Sequence, residues 1–282
     1  MDRTNPTAER RESYDRAAGP ARGILRSPAG PGIYGHSRRR PAPELGPWIL
    51  HYWLVDWDLA EGVRQTVETL PHPNVQLVFT SGETATVEVH GVYTGKFRRV
   101  LEGRAQVFGV KFRAGGFRAF LGRPVAALRG KGIAAAEVFG REIERLAPTL
   151  TGDGPEEEKI AAANRFFLDR IPAPDADGER AASLVNLILS TPEVGSVGAL
   201  ASRAKLSERA LERLFREYVG VGPKWVIRRY RMHELVERLN AGGRVDWASL
   251  AAELGYFDQS HLIRDFRRLT GYTPEKYRRR AP

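Results

Sequence analysis

Apolar and polar positions alternate in the first half of the chain, whereas the second half follows a helical period. Short runs rich in β-branched and aromatic residues predict strands at Trp48–Val55, Val75–Thr80, Thr84–Val89 and Ala105–Phe112. Turn sequences such as Pro71-His72-Pro73-Asn74 separate these runs. Strands that follow one another this closely predict an antiparallel sheet, either a sandwich or a small barrel.

Helical periodicity starts after Gly115 and predicts helices near Phe117–Leu121, Ala134–Leu146 and Pro155–Ile171. The proline-containing stretch at residues 172–178 predicts a linker, because it holds little apolar material to bury. We therefore expect an α+β regulatory domain at residues 21–171 and an all-α domain at residues 179–282. Residues 1–20 are polar, rich in Arg and Glu, and expected to be disordered.

The all-α region contains an imperfect internal repeat. Its first copy holds Leu211, Phe215, Gly220 and Pro223, which recur 51 residues later as Leu262, Phe266, Gly271 and Pro274. Leu200-Ala201 recur at an offset of 50 as Leu250-Ala251, so the second copy has one extra residue in its turn. Each copy predicts a helix, a tight turn and a second helix. A glycine ends the second helix, and a proline begins the helix that follows.

Helix-capping residues agree with this repeat. The predicted N-caps are Ser196 and Ser207 in the first copy and Asp246 and Asp258 in the second. The second helices of the two copies are predicted at residues 207–219 and 258–270. A long helix from Pro223 to about Leu239 joins the copies, which makes two helix-turn-helix units in one chain.

Each second helix has an apolar stripe opposed by a basic or hydrogen-bonding face. The outer face of the first holds Arg209, Glu212, Arg213 and Arg216. The matching positions of the second hold Ser260, Ile263, Arg264 and Arg267. A helix of this kind fits the major groove, where each base pair displays a distinct pattern, so double-stranded DNA is the predicted partner.

The charge distribution supports a polyanionic partner for the C-terminal part. Residues 195–282 carry 18 Lys and Arg against 10 Asp and Glu, whereas the preceding 194 residues carry 26 against 24. The absence of cysteine excludes disulfides and thiolate metal sites. No apolar run approaches the roughly 20 residues of a membrane span, and the charged N-terminus does not look like a signal peptide. We therefore expect a cytoplasmic protein that contacts no membrane.

The motifs of the repeat resemble those of AraC/XylS transcription regulators. Ser207–Phe215 followed by Gly220–Pro223 resembles the first helix-turn-helix unit of that family, and Gly255–Phe266 followed by Gly271–Tyr277 resembles the second. The resemblance implies base contacts from Arg209, Glu212, Arg213, Gln259, Ser260, Ile263 and Arg264. Arg216, Arg267 and the tail Arg278-Arg279-Arg280 are better candidates for phosphate contacts.

The N-terminal half resembles an uncharacterised sensor-like domain found ahead of this module. The resemblance covers residues 24–140, through Leu70–Pro73, Val75–Phe79 and Phe108–Arg113. It names no ligand, so the effector-binding residues are unknown. The aromatic residues Trp48, Tyr52, Trp53 and Trp57 are expected in the core of the sheet, and they are candidates for the wall of a small-molecule pocket.

No motif in the sequence supports catalysis, a cofactor or a metal. His51, His72 and His90 lack the spacing of metal ligands, and the glycine-containing segments fit neither a phosphate loop nor a nucleophile elbow. The sequence thus predicts a non-enzymatic, sequence-specific transcription regulator, as a monomer or a homodimer. Its first domain would bind a small-molecule effector or a partner and so alter DNA affinity or contact with RNA polymerase.

Two alternatives stay open. One is a basic architectural protein that binds DNA without sequence preference. The other is an enzyme fused to a DNA reader, although the missing cysteine excludes an alkyl-transfer version.

Overall fold

The computed structural model describes residues 13–14, 23–25, 34–82, 85–191, 194–242 and 245–280. Its strands are β1 Ser13–Tyr14, β2 Tyr34–Arg39, β3 Ile49–Asp58, β4 Arg64–Thr69, β5 Gln76–Thr80, β6 Thr86–His90, β7 Phe97–Glu102, β8 Arg104–Phe112 and β9 Gly132–Ala134. Its helices are α1 Arg118–Leu121, α2 Ala136–Phe139, α3 Ala147–Leu150, α4 Glu156–Leu168, α5 Ala176–Ser190, α6 Val197–Ala204, α7 Glu208–Tyr218, α8 Pro223–Asn240, α9 Trp247–Glu253, α10 Gln259–Thr270 and α11 Pro274–Arg278. Within these ranges no helix is long and apolar enough to cross a bilayer.

The N-terminal domain contains a seven-stranded sheet and a two-stranded sheet. The larger has the order β1-β2-β3-β8-β5-β6-β9, and the smaller pairs β4 with β7. All pairs are antiparallel except β1 with β2. The antiparallel sheet predicted from the sequence is confirmed, with the four predicted runs forming β3, β5, β6 and β8. Thr84, at the start of one predicted run, lies outside the described residues.

The larger sheet is packed on both faces, as β8 shows. Its even positions Phe108, Val110 and Phe112 are buried in a core shared with the helices α1–α4. Its odd positions Val107 and Lys111 point to the opposite face, because successive side chains of a strand alternate. There the two-stranded sheet packs over it in a second, smaller apolar cluster.

The helices below the larger sheet are shorter than the sequence pattern indicates. The helix predicted near Ala134–Leu146 is wrong as a single element, because α2 ends at Phe139 and a 3-10 helix follows at Arg141–Leu146. Gly140 separates them with a φ of 74°, which a continuous right-handed helix excludes. The helix predicted from Pro155 is confirmed as α4, for which Pro155 is the N-cap.

The C-terminal domain is all helical, as predicted, and starts inside the predicted linker. Helix α5 begins at Ala176, where the Asp175 carboxylate accepts hydrogen bonds from two backbone N–H groups. The domain has two apolar cores, one around the first helix-turn-helix unit and one around the second. Helix α8 contributes Val226 and Ile227 to the first core and Leu235 and Val236 to the second. Within the range predicted to be disordered, only residues 13–14 are described, and that prediction otherwise lies outside the described residues.

Both helix-turn-helix units contact the N-terminal domain. Near the first unit, Arg118 of α1 forms a 2.6 Å ion pair with Glu217 of α7. Near the second, Lys96 Nζ donates to the carbonyl oxygen of Thr270 at 2.9 Å. Between these points, Arg229 of α8 donates to the carbonyl oxygen of Thr94 at 2.6 Å. The helical domain is therefore joined to the sheet domain at each unit and along the helix between them.

Candidate nucleic-acid interface and effector cavity

Side-chain caps start the helices of both units where the sequence predicts them. Ser207 Oγ accepts from the N–H of Ala210 at 3.2 Å, and Asp258 Oδ1 accepts from the N–H of His261 at 2.6 Å. Ser196 and Asp246 cap the preceding helices α6 and α9 in the same way. Each cap satisfies a backbone donor that has no partner within its helix, which stabilises the helix by about 1 kcal/mol. The predicted caps are confirmed.

The turn of each unit is fixed by one residue in the left-handed conformation. In the second unit this is Gly255, with a φ of 66°, as the sequence predicts. In the first unit it is Lys205, with a φ of 52°. A lysine at this position gives no sequence signal for a left-handed turn, so the sequence could not identify which residue adopts it.

Most of the predicted DNA-contacting side chains lie exposed on the outer faces of α7 and α10. The exposed residues are Arg209, Arg213, Arg216, Gln259, Ser260, Arg264 and Arg267. The opposite faces are buried, with Leu211, Phe215, Leu262 and Phe266 each at 0% exposure. Contact with the N-terminal domain therefore leaves these two polar faces open to a large partner.

Glu212 and Ile263 are only half exposed, unlike the other predicted contacts. The Glu212 carboxylate lies at Gly222, the N-cap of α8, where an added Cβ would come within 2.8 Å of Oε2. A carboxylate near a helix N-terminus is stabilising because the backbone N–H groups there carry partial positive charge. The structure thus gives Glu212 a contact within the protein, in addition to its predicted place on the DNA-facing surface.

The second recognition helix is held to α8 by a buried carboxylate. Asp265 of α10, whose side chain is 6% exposed, accepts from Arg228 Nε at 3.0 Å and from the Tyr256 hydroxyl at 3.3 Å. Arg268 adds an ion pair at 3.0 Å. Burial alone would raise the pKa of Asp265, but the bonds from Arg228 and the nearby positive charges hold it below its usual value. The orientation of α10 relative to α8 therefore depends on an ionised Asp265.

Phe257 is a surface residue that the sequence analysis did not single out. Its side chain is 94% exposed, in the turn just before the N-cap of α10. Phe257 therefore presents a large apolar surface beside the polar recognition face. Its neighbour Tyr256 is buried, so the two adjacent aromatic residues of the turn point in different directions. Only this pair of aromatic residues in the sequence could have indicated that one of them is exposed.

A cavity of about 570 Å³ lies between the two sheets and the helical domain. Its floor is the face of the larger sheet that carries Trp53, and the side chains of β4 and β7 form the opposite wall. Helix α5 contributes Val185 and Asn186, and α8 contributes Tyr230. The volume lies within the range of small-molecule sites, and elements of both domains line it.

The four aromatic residues predicted for the sheet core divide between its two faces. Trp48 and Tyr52 are buried in the main core, as predicted. Trp57 is buried in the smaller apolar cluster, and both Trp53 and Trp57 line the cavity, the other place predicted for these residues. The Trp53 ring lies over Gly109 so closely that an added Cβ would be 1.9 Å from its Cε2 atom. A glycine at this point of β8 makes room for the indole in the cavity floor.

His51, one of the three histidines of the sheet domain, is buried at one end of this cavity. The Arg38 guanidinium lies 2.9 Å from its Nε2 atom. Burial lowers the pKa of His51 far below its usual value, and the nearby charges of Lys111 and Arg38 lower it further, so its ring is neutral. In the described part of the chain, no three His, Asp or Glu side chains are grouped as metal ligands would be.

Comparison with known proteins matches each domain separately. Residues 200–280 match a family described as a helix-turn-helix domain, and residues 37–134 match a domain of unknown function (DUF6597). Putative AraC-like transcription regulators of Streptomyces antibioticus and Streptomyces lividans are 30% and 33% identical over 141 residues, which is 48% of this chain and 46% of each relative. The chain thus spans about half the length of the curated relatives it matches. ToxT from Vibrio cholerae, whose structure has been solved, is 10% identical over 81% of this chain and 98% of that one, with a TM-score of 0.40.

The capped helices, the exposed polar faces and the family match define the C-terminal domain as a double helix-turn-helix domain. The similarity of the chain to the putative AraC-like regulators agrees with the resemblance of its motifs to that family.

Proposed function

We propose that this protein is a sequence-specific transcription regulator that reads two successive major grooves of double-stranded DNA. The observation that carries the proposal is the matched pair of exposed polar faces on α7 and α10. Helix α8 separates the two units and, with 18 residues, is about 27 Å long. This length is of the same order as the roughly 34 Å between successive major grooves on one side of the duplex.

In this proposal the exposed arginines have two kinds of role. Arg209, Arg213 and Arg264 reach base edges, and Gln259 and Ser260 join them at the N-terminal end of α10. Arg216 and Arg267 lie one helical turn further along and contact phosphates, as do Arg278 and Arg279 of the tail. Arg280, which was also predicted to contact phosphate, is instead paired with Glu68 of the sheet domain. Ile263 and the exposed Phe257 supply apolar contact, for which a thymine methyl group is the natural partner in the major groove.

We further propose that a small molecule in the interdomain cavity controls the second unit. Val67 and Thr69 of β4 line the cavity, whereas Glu68 between them points the other way. Glu68 accepts from the Tyr272 hydroxyl at 3.1 Å and forms ion pairs with Lys96 and Arg280. A ligand that displaces β4 would therefore move the contact between the sheet domain and the second unit.

The proposal describes a regulator rather than an enzyme, located in the cytoplasm with the DNA it binds. Because both units lie in one chain, a monomer suffices to read two grooves, and a homodimer would double the site. Contact with RNA polymerase would use surface left free by the DNA.

The test is selection of binding sites from random-sequence DNA by the full chain. Enrichment of two short motifs about one helical turn apart is expected, with Arg213→Ala relaxing one motif and Arg264→Ala the other. Each substitution removes a base contact worth about 1–3 kcal/mol of discrimination. The control is Arg123→Ala, at an exposed arginine of the sheet domain. Equal loss of affinity by both variants on all DNA, without any enriched motif, would replace this proposal with a non-specific architectural role.

A further inference from the structure

The charges around the interdomain cavity are unbalanced. Four Lys or Arg side chains line it, and among its described lining residues there is no Asp or Glu. The four are Arg38, Arg99, Lys111 and Arg113. A cavity that holds several positive charges without a carboxylate is unfavourable in the empty protein, because buried charges are stable only when they are paired.

Three of these cations form no ion pair with any described residue. Lys111 lies on the central strand β8, is half-buried, lines the cavity and forms no hydrogen bond to a described residue. Arg113 donates to the carbonyl oxygen of Gly46, a neutral acceptor. Arg99 contacts the Trp57 ring, with its guanidinium carbon 5.1 Å from the ring centroid. Burial lowers the pKa of both arginines, as expected for cations that lack a partner.

Three of the four cations lie at one end of the cavity, and the other end is mainly apolar, with Arg99 stacked on the Trp57 ring. Strand pairing places Lys111 beside His51 of β3 and beside Gln76 of β5. From His51 the cavity-facing positions of β3 continue through Trp53 and Val55 to Trp57, a span of about 20 Å. The wall along this span is aromatic and aliphatic. The occupant that fits is thus longer than an inorganic anion and apolar over most of its length.

We propose that the interdomain cavity binds an organic carboxylate, with the carboxylate at Lys111 and Arg113 and an aromatic or aliphatic body along Trp53 and Trp57. This inference rests on the proposed function for its regulatory meaning, since it specifies the effector of that regulator. The carboxylate supplies the missing counter-charge. The apolar part of the ligand displaces water from the indole rings. It also contacts β4 and Tyr230 of α8, the parts of the cavity wall that connect to the DNA-binding units.

The protonation of Lys111 gives this site a recognisable signature. Burial and the positive charge of Arg38 lower the pKa of Lys111 to about 7, so in the empty protein part of its amine is unprotonated at neutral pH. A bound anion favours the charged form, so binding takes up a proton and weakens as pH rises above 7. The other titratable groups that line this end are Arg38 and His36 of β2, His51 of β3, Arg113 just after β8, His72 between β4 and β5, and Tyr230 of α8.

The experiment is calorimetric titration of the full chain, without DNA, using benzoate, 2-naphthoate and decanoate, each beside its neutral amide. At least one carboxylate should bind with 1:1 stoichiometry and about 10- to 100-fold more tightly than its amide. For that carboxylate, Lys111→Met should reduce the ratio to near one. The matched control Lys131→Met, at an exposed lysine, should leave the ratio unchanged. Titrations of the wild type in buffers of different ionisation enthalpy should show that binding takes up a fraction of a proton.

Thermal unfolding of the variants separates ligand binding from a structural role. Removal of an unpaired buried amine should leave the thermal midpoint of empty Lys111→Met unchanged or higher, whereas loss of a structural lysine would lower it. If no carboxylate binds more tightly than its amide, or if Lys111→Met retains the ratio, the proposal is overturned. Because the titration contains no DNA, its failure leaves the DNA-reading proposal intact, and a failed DNA selection leaves the carboxylate site intact.

Discussion

The substitution Asp265→Asn tests whether one buried carboxylate fixes the second recognition helix. It preserves the size of the side chain and one oxygen acceptor but removes the charge that Arg228 and Arg268 face. It also places an amide N–H₂ group against a guanidinium. The side chains of Arg228 and Arg268 are 30% and 60% exposed, so solvent can compensate the second arginine much better than the first.

The expected cost follows from these contacts. A hydrogen bond to a charged group contributes about 1.5–3 kcal/mol, and the bond from Arg228 is largely shielded from water. The ion pair with the more exposed Arg268 contributes less than about 1 kcal/mol. Since asparagine retains an acceptor for Tyr256, we expect a loss of about 2–3 kcal/mol in the free energy of unfolding of the C-terminal domain. For a domain of about 105 residues this corresponds to a fall of about 9–14 °C in the thermal midpoint.

Circular dichroism melting of the full chain measures this loss, and Glu275→Gln is the matched control. Glu275 pairs with Arg279 on the surface, with side chains 59% and 78% exposed, so its neutralisation should cost less than about 0.5 kcal/mol. Because the folded pKa of Asp265 is lowered, the stability it contributes is complete above its unfolded pKa and is lost as pH falls through the folded value. A cost for Asp265→Asn no larger than that of the control would refute the role assigned to this carboxylate.

Four further predictions address the DNA-binding face and the cavity. Phe257→Ser should relax base preference in the second half-site about 3- to 10-fold in competition binding without a change in melting, and unchanged preference would remove Phe257 from the interface. Arg267→Ala should weaken binding about equally on all sequences and reduce the salt slope by about one, whereas a sequence-dependent loss would make it a base reader. Glu68→Gln should increase protease cleavage between the domains, because Lys96 and Arg280 lose their anionic partner. Cleavage of the wild type should increase in the same way as the pH falls through the lowered pKa of Glu68. Equal cleavage rates for the variant and the wild type would argue against this contact. Gly109→Ala should displace the Trp53 ring, reduce carboxylate affinity at least about tenfold and cost about 1–3 kcal/mol, and a wild-type affinity would show that the indole does not form the floor.

The helix-turn-helix units were predictable because their signals are local. A serine at 207 or an aspartate at 258 caps the helix that starts at the next residue, and both bonds are present. Gly271 has the positive φ of 82° that its position after the helix requires. Buried Leu211 and Leu262 then follow from a helical period that can be counted along the chain.

The cavity was not predictable in the same way, because its parts come together through strand pairing. Lys111 meets His51 and Gln76 only once β8 lies between β3 and β5, and no short-range pattern fixes that order. Arg99 arrives on β7, a strand the sequence analysis did not identify. Within the sequence, each of these cations looked like one more charged residue in a basic protein.

Helix α8 has a consequence for any attempt to exchange domains between this protein and others. A chimera joined within residues 172–178 would keep α8 with the DNA reader and place it against a foreign sheet. Arg229, 1% exposed, would then need a new carbonyl group in place of that of Thr94, and Tyr230 would line a cavity shaped for another side chain. A sensor domain that is transferred to another protein must therefore bring the matching face of α8 with it. The segment that carries regulation is larger than the sheet domain alone.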